Sequence, residues 1–122
     1  MSKRPLVEVE STSLEDPAAG IFKLSGKLFG DQSGYDLLEK IRDEIKEGRT
    51  HIILDLNKLT MANSSGLGII ASVFNGTKEV NGSLTLVGAS EMIQKLLKVI
   101  MLWDLVQHND TVEGAHAALK NP

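Results

Sequence analysis

The segment His51-Ile52-Ile53-Leu54-Asp55-Leu56 is almost continuously apolar. A half-exposed strand alternates apolar and polar residues, so a short run without alternation needs cover on both faces. That is the situation of a central strand in a sheet flanked by helices. The flanking periodicities agree. Leu6-Val7-Glu8-Val9-Glu10 alternates as an edge strand does, Asp16 to Gly20 reads as a turn, and Ile21 to Gly26 reads as a second strand, antiparallel to the first. A helix is predicted from about Ser33 to Lys46, with Leu37, Leu38, Ile41 and Ile45 on one face and Gly48 closing it. After the central strand, a short polar connection leads to a second helix starting near Ser64, with Leu67, Ile70, Val73, Phe74 and Thr77 at helical spacing. Asn81-Gly82 marks a turn before a fourth strand, Ser83 to Gly88. Ser90 reads as the cap of a third helix, Leu105 to His108 as a short last strand, and Thr111 to Lys120 as a closing helix. The order β-β-α-β-α-β-α-β-α implies an α/β fold, a mostly parallel mixed sheet with one antiparallel edge and helices packed on it.

Composition narrows the function. The 122 residues are enough for one domain, expected over 1–122, with only Met1 to Arg4 and Asn121 to Pro122 frayed. The absence of cysteine excludes a disulfide framework and a thiol nucleophile, and it is compatible with a cytoplasmic setting. Lys3 and Arg4 are not followed by an apolar core, so no secretory signal is expected, and no apolar run is long enough to span a bilayer. A net charge of −3 without a dense basic patch argues against direct nucleic-acid binding.

Catalytic and cofactor motifs fail on context. Gly66-x-Gly68-x-x-Ala71 fits a relaxed dinucleotide fingerprint, but seven residues separate Leu56 from Ser64 where a tight strand-to-helix turn is needed. Ser64 and Ser65 lack the G-x-S-x-G elbow of a serine hydrolase, and His51, His108 and His116 are scattered and unassignable as a base. No metal-ligand spacing is present, so neither a catalytic residue, a metal nor a cofactor is expected. The apolar run from Met92 to Trp103 exceeds one helix stripe, leaving Trp103 as either a contact anchor or simple packing. The serine pair stands out. At a helix start, backbone N–H groups lack intrahelical partners and the dipole favours negative charge, so a serine there is a good cap when bare and a good site for a phosphoryl group.

Asp55-Leu56-Asn57-Lys58-Leu59 followed by Met61-Ala62-Asn63-Ser64-Ser65-Gly66-Leu67-Gly68 resembles the signature of the STAS domain, the anti-sigma factor antagonist family. Phe22 to Leu28, Leu84 to Gly88, and the region from Leu96 to Leu105 are similar to other elements of that family. The resemblance implies a non-enzymatic partner-switching module in bacterial transcription regulation. Unphosphorylated, it would sequester an anti-sigma factor serine kinase, a GHKL-type ATPase. Ser64 would be the residue that the kinase phosphorylates, and a PP2C-type phosphatase would reverse the mark. Asn63, Ser65, Gly66 and Leu67 would contact the partner. Asn63 stands where the family usually has an acidic residue. The alternative implied is a non-phosphorylated STAS scaffold or accessory subunit of a signalling or transport complex, with Ser64 only a cap.

Overall fold

The apolar segment from His51 is the middle strand of a five-stranded sheet in a computed structural model that describes residues 4–120. The frayed ends expected from the sequence lie, apart from Arg4, outside these residues. The elements run β1 (Val7–Leu14), β2 (Ala19–Leu28), α1 (Gln32–Lys46), β3 (His51–Ala62), α2 (Ser64–Glu79), β4 (Ser83–Val87), α3 (Glu91–Val99), β5 (Gln107–Asn109) and α4 (Val112–Ala118). Their order in the sheet is β1-β2-β3-β4-β5, with β1 antiparallel to β2 and all other neighbours parallel. This is the α/β architecture, mostly parallel with an antiparallel edge, that the patterning implies.

Two-sided cover explains the apolar run. Ile52, Leu54 and Leu56 join the main core beneath α1, α2 and α3, together with Phe22, Leu24, Ile41, Ile70, Leu86 and Ile93. Ile53 points the other way, into a smaller cluster with Ile21, Val87 and Ala115 of α4. One short helix therefore covers the second face, and the other three share the first.

Several boundaries differ from the sequence reading. The largest difference is in β3, which continues through Ala62 instead of yielding at Leu56 to a polar connection. Beyond Asp55 it loses β4 as a neighbour and pairs with β2 alone, through Ser25↔Lys58, Gly26↔Leu59, Lys27↔Met61 and Leu28↔Ala62. Register shifts between Lys23 and Ser25 and between Gly26 and Lys27 break the period of two. The buried residues Leu59 and Ala62 consequently fall three apart, a spacing that does not read as a strand. At the other edge, Leu105 is exposed in the approach to β5, which starts two residues later than expected. The last helix ends at Ala118 because Leu119 and Lys120 donate to carbonyls three residues back, a tightened final turn.

The first helix begins at Gln32, one residue earlier than expected, because Asp31 caps it by accepting from the Gly34 N–H at 3.3 Å. Ser33 belongs to the same small network. Its hydroxyl donates to the Asp31 carboxylate at 2.9 Å and accepts from the Val7 N–H at 3.2 Å, tying α1 to β1. Desolvation opposes the Asp31 charge, but the hydrogen bonds from Ser33 and Gly34 outweigh it and hold the carboxyl below its ordinary range. A folded-state value below the unfolded one means stability that is present above the unfolded pKa and lost as pH falls through the folded one. We therefore expect urea titrations of wild type to show an acid-side loss of stability in and below the ordinary aspartate range. Asp31→Asn should flatten that part of the profile, and an unchanged profile would show that this cap does not contribute.

Candidate functional site

The serine pair sits where β3 hands over to α2. Ala62 is buried at the end of the strand, and Asn63 is extended (φ −98°, ψ −177°). Its side-chain oxygen accepts from the Gly66 N–H at 2.8 Å, and its carbonyl accepts the first helical bond from Leu67 at 2.9 Å. Asn63 is thus the N-cap, and the expectation that a serine fills that role is corrected. Asn was always competent to cap; the boundary lies one residue earlier than the serine pair suggests. Ser64 and Ser65 are the first two helical residues, and both are exposed. By position their N–H groups fall outside the i→i−4 ladder and carry the positive end of the helix dipole. Since Asn63 is uncharged, no carboxylate of the capping residue opposes a negative group there.

Gly66 and Leu67 are buried and build the site from beneath. A methyl group at Gly66 would collide with the Leu28 carbonyl oxygen, so the first turn of α2 lies directly against the end of β2. Leu67 is 6% exposed and packs in the main core. Of the five residues singled out from the sequence, Asn63, Ser64 and Ser65 are therefore on the surface, while Gly66 and Leu67 hold them in place. The two serines also have different surroundings. Ser65 abuts Gly30 in the β2–α1 turn, where an added methyl would lie 2.9 Å from its hydroxyl oxygen. Ser64 instead opens onto a groove of about 380 Å³.

That groove was not legible in the sequence. One wall is α2, with the small side chains of Ser64, Gly68 and Ala71; the other is the chain following α3, with Ile100, Met101 and Leu105. Gly68 has no neighbour within 4 Å of where its side chain would be. Met101 and Leu105 are 80% and 61% exposed, an unusual state for large apolar side chains this close together. Trp103, the anchor candidate, is instead half-buried against the core, with the His108 ring 3.7 Å from its own. The histidines serve the fold. His108 and His116 donate from Nε2 to the carbonyls of Trp103 and Pro17, and His51 shares a hydrogen bond with the Ser83 hydroxyl.

Met101 has a second peculiarity. It follows the C-cap of α3 with φ +61°, its N–H bonded to the Lys98 carbonyl, and the next N–H, of Leu102, bonded to Leu97. This is a Schellman motif, whose left-handed residue is usually glycine. A side chain with a Cβ pays on the order of 1 kcal/mol to sit there.

These contacts make two outcomes testable by chemical denaturation. Gly66→Ala should lower stability by about 1–3 kcal/mol, since the Leu28 carbonyl belongs to a paired strand and cannot easily yield. Asn63→Ala should cost about 1 kcal/mol through loss of the cap. Wild-type stability in either variant would show that the α2 start is not built as described.

The likenesses to known proteins fit this geometry. The STAS domain family matches residues 10–115. The anti-sigma factor antagonist SpoIIAA in its unphosphorylated form is 22% identical with a TM-score of 0.72, covering 95% of this chain and 99% of that one. The phosphorylated form of the Bacillus cell fate determinant SpoIIAA is 23% identical with a TM-score of 0.70, covering 93% and 98%. A sulfate transporter family protein from Wolinella succinogenes is 19% identical with a TM-score of 0.69, covering 82% and 83%. At these identities the structural likeness is one of fold, and the fold serves proteins of different roles. With the family match extending from β1 into α4, and with the sheet order and serine-led α2 described above, this chain belongs to the STAS domain family.

Proposed function

We propose that this chain is an anti-sigma factor antagonist, a binding module without catalytic activity that is switched by phosphorylation of Ser64. In the bare state it sequesters an anti-sigma factor serine kinase of the GHKL ATPase type. Once phosphorylated it releases the kinase, and a PP2C-type phosphatase restores the bare state. The setting is cytoplasmic, where ATP and the transcription machinery are available; no helix among the described residues is long and apolar enough to cross a membrane.

The observation that carries this reading is the position of Ser64, exposed in the first turn of α2 and lining the apolar groove. Its hydroxyl is accessible to a kinase. A phosphoryl group there adds about −1.5 to −2 charges beside free N–H groups that favour it, so the fold need not change. A partner seated on Met101, Leu105 and Ser64 would have to bury that charge against apolar surface, which is strongly unfavourable without a matching cation. Converting a mostly bound population to a mostly free one needs roughly 5.5 kcal/mol of differential affinity, within the range of such a penalty. In the alternative reading, a non-phosphorylated scaffold or accessory subunit, Ser64 has only a capping role; the cap is Asn63 in either reading. Asn63 and Ser65 are the supporting contacts in this proposal, and Gly66 and Leu67 act by positioning them.

Incubation with ATP and the kinase recovered by pull-down should raise the intact mass by about 80 Da, one phosphate. The increase should vanish in Ser64→Ala, and a protein that gains no phosphate on any serine would contradict the switch. Ser64→Asp should weaken kinase binding at least tenfold, about 1.4 kcal/mol. Wild-type affinity in that variant would rule out the charge mechanism.

A further inference from the structure

We propose that Met101 is an oxidation-sensitive contact residue of the partner-binding face, and that conversion of its thioether to the sulfoxide releases the partner held by the bare Ser64 state. The inference rests on the binding role proposed for the groove. Three observations carry it.

The first is conformational. Met101 occupies the left-handed position of the Schellman motif that ends α3, at φ +61°. Glycine would suit that backbone better, so a methionine there is not explained by folding of the helix end. An outlier of this kind points to a use for the side chain. The second is exposure. The Met101 side chain is 80% exposed and so adds little to the core, yet it forms the wall of the groove facing Ser64. A flexible, polarisable thioether in that place suits an apolar partner surface. The third is chemical. The chain has no cysteine, which leaves methionine sulfur as the principal target of a peroxide-class oxidant. Among the described methionines, Met61 and Met92 are each 40% exposed, half the value of Met101.

The reaction balances simply. The thioether sulfur attacks the peroxide O–O bond and takes one oxygen, losing two electrons, and the peroxide is reduced to water. The product carries a strong hydrogen-bond acceptor where the partner presents apolar surface, and that acceptor would be buried unpaired in the complex. Methionine sulfoxide reductases restore the thioether. The groove would thus respond to charge on one wall, at Ser64, and to polarity on the other.

The test is limited hydrogen peroxide treatment, to about 16 Da of added mass (one oxygen), followed by peptide mapping and titration with the partner kinase. The first oxygen should fall on Met101, affinity should drop at least tenfold, and reductase treatment should recover it. Met101→Leu, compared with its own untreated form, should lose no affinity on peroxide treatment. Met101→Gly should melt a few degrees higher than wild type while binding at least tenfold more weakly, a combination that a merely structural residue would not produce. Oxidation that spares Met101, undiminished affinity of the Met101 sulfoxide, or wild-type binding by Met101→Gly would each overturn the inference. Untreated wild type that fails to bind the kinase overturns the proposed function itself, whereas equal binding before and after oxidation at Met101 overturns only the role given to that residue.

Discussion

The first turn of α2 rests on the carbonyl oxygen of Leu28, and only a residue without a side chain lets it do so. Much of the site follows from that contact. Leu28 ends β2 beside Ala62, the last residue of β3, so the two strand ends form a shelf on which Gly66 sits. With Gly66 pressed inward, Asn63 bonds across the turn to its N–H, and Ser64 and Ser65 come to the surface at the helix's positive end. The serines are exposed because the glycine after them is buried.

The same economy shapes the groove. The face of α2 that includes Leu67, Ile70 and Val73 is committed to the core, which leaves the small residues Ser64, Gly68 and Ala71 to form an open wall. On the opposite side, α3 buries Ile93 and Leu97 and then stops in a left-handed turn that directs Met101 outward. A surface of this kind is costly to leave exposed, and the proposed partner would cover it. In the proposed switch, the place of Ser64 within it would let a local change of charge act on binding without rearranging the sheet.

Much of the fold was legible in the sequence, and the reasons are specific. The two-faced apolar strand, the Leu37/Leu38/Ile41 stripe and the turn at Asn81-Gly82 each express a single local constraint, and the structure has them where the pattern put them. The second half of β3 was hidden because its bulged pairing with β2 spoils the alternation by which strands are recognised. The cap was displaced by one residue because Asn, Ser and Ser are all able to cap, and only tertiary contact at Gly66 decides among them. Burial of Gly66 and Leu67, exposure of Met101 and the inward turn of Trp103 depend on neighbours distant in the chain. The serine pair was visible, whereas the groove that gives it a context was not.

The central claim is that one phosphoryl group at Ser64 controls partner binding through charge while the fold stays as it is. Calorimetric titration of the partner kinase with the stoichiometrically phosphorylated protein, alongside the bare protein, tests it most directly. The expected result is tight binding by the bare form and binding at least tenfold weaker by the phosphoprotein, with unchanged melting behaviour and circular dichroism. Equal affinities for the two forms would contradict the claim, as would a loss of binding accompanied by loss of the folded structure.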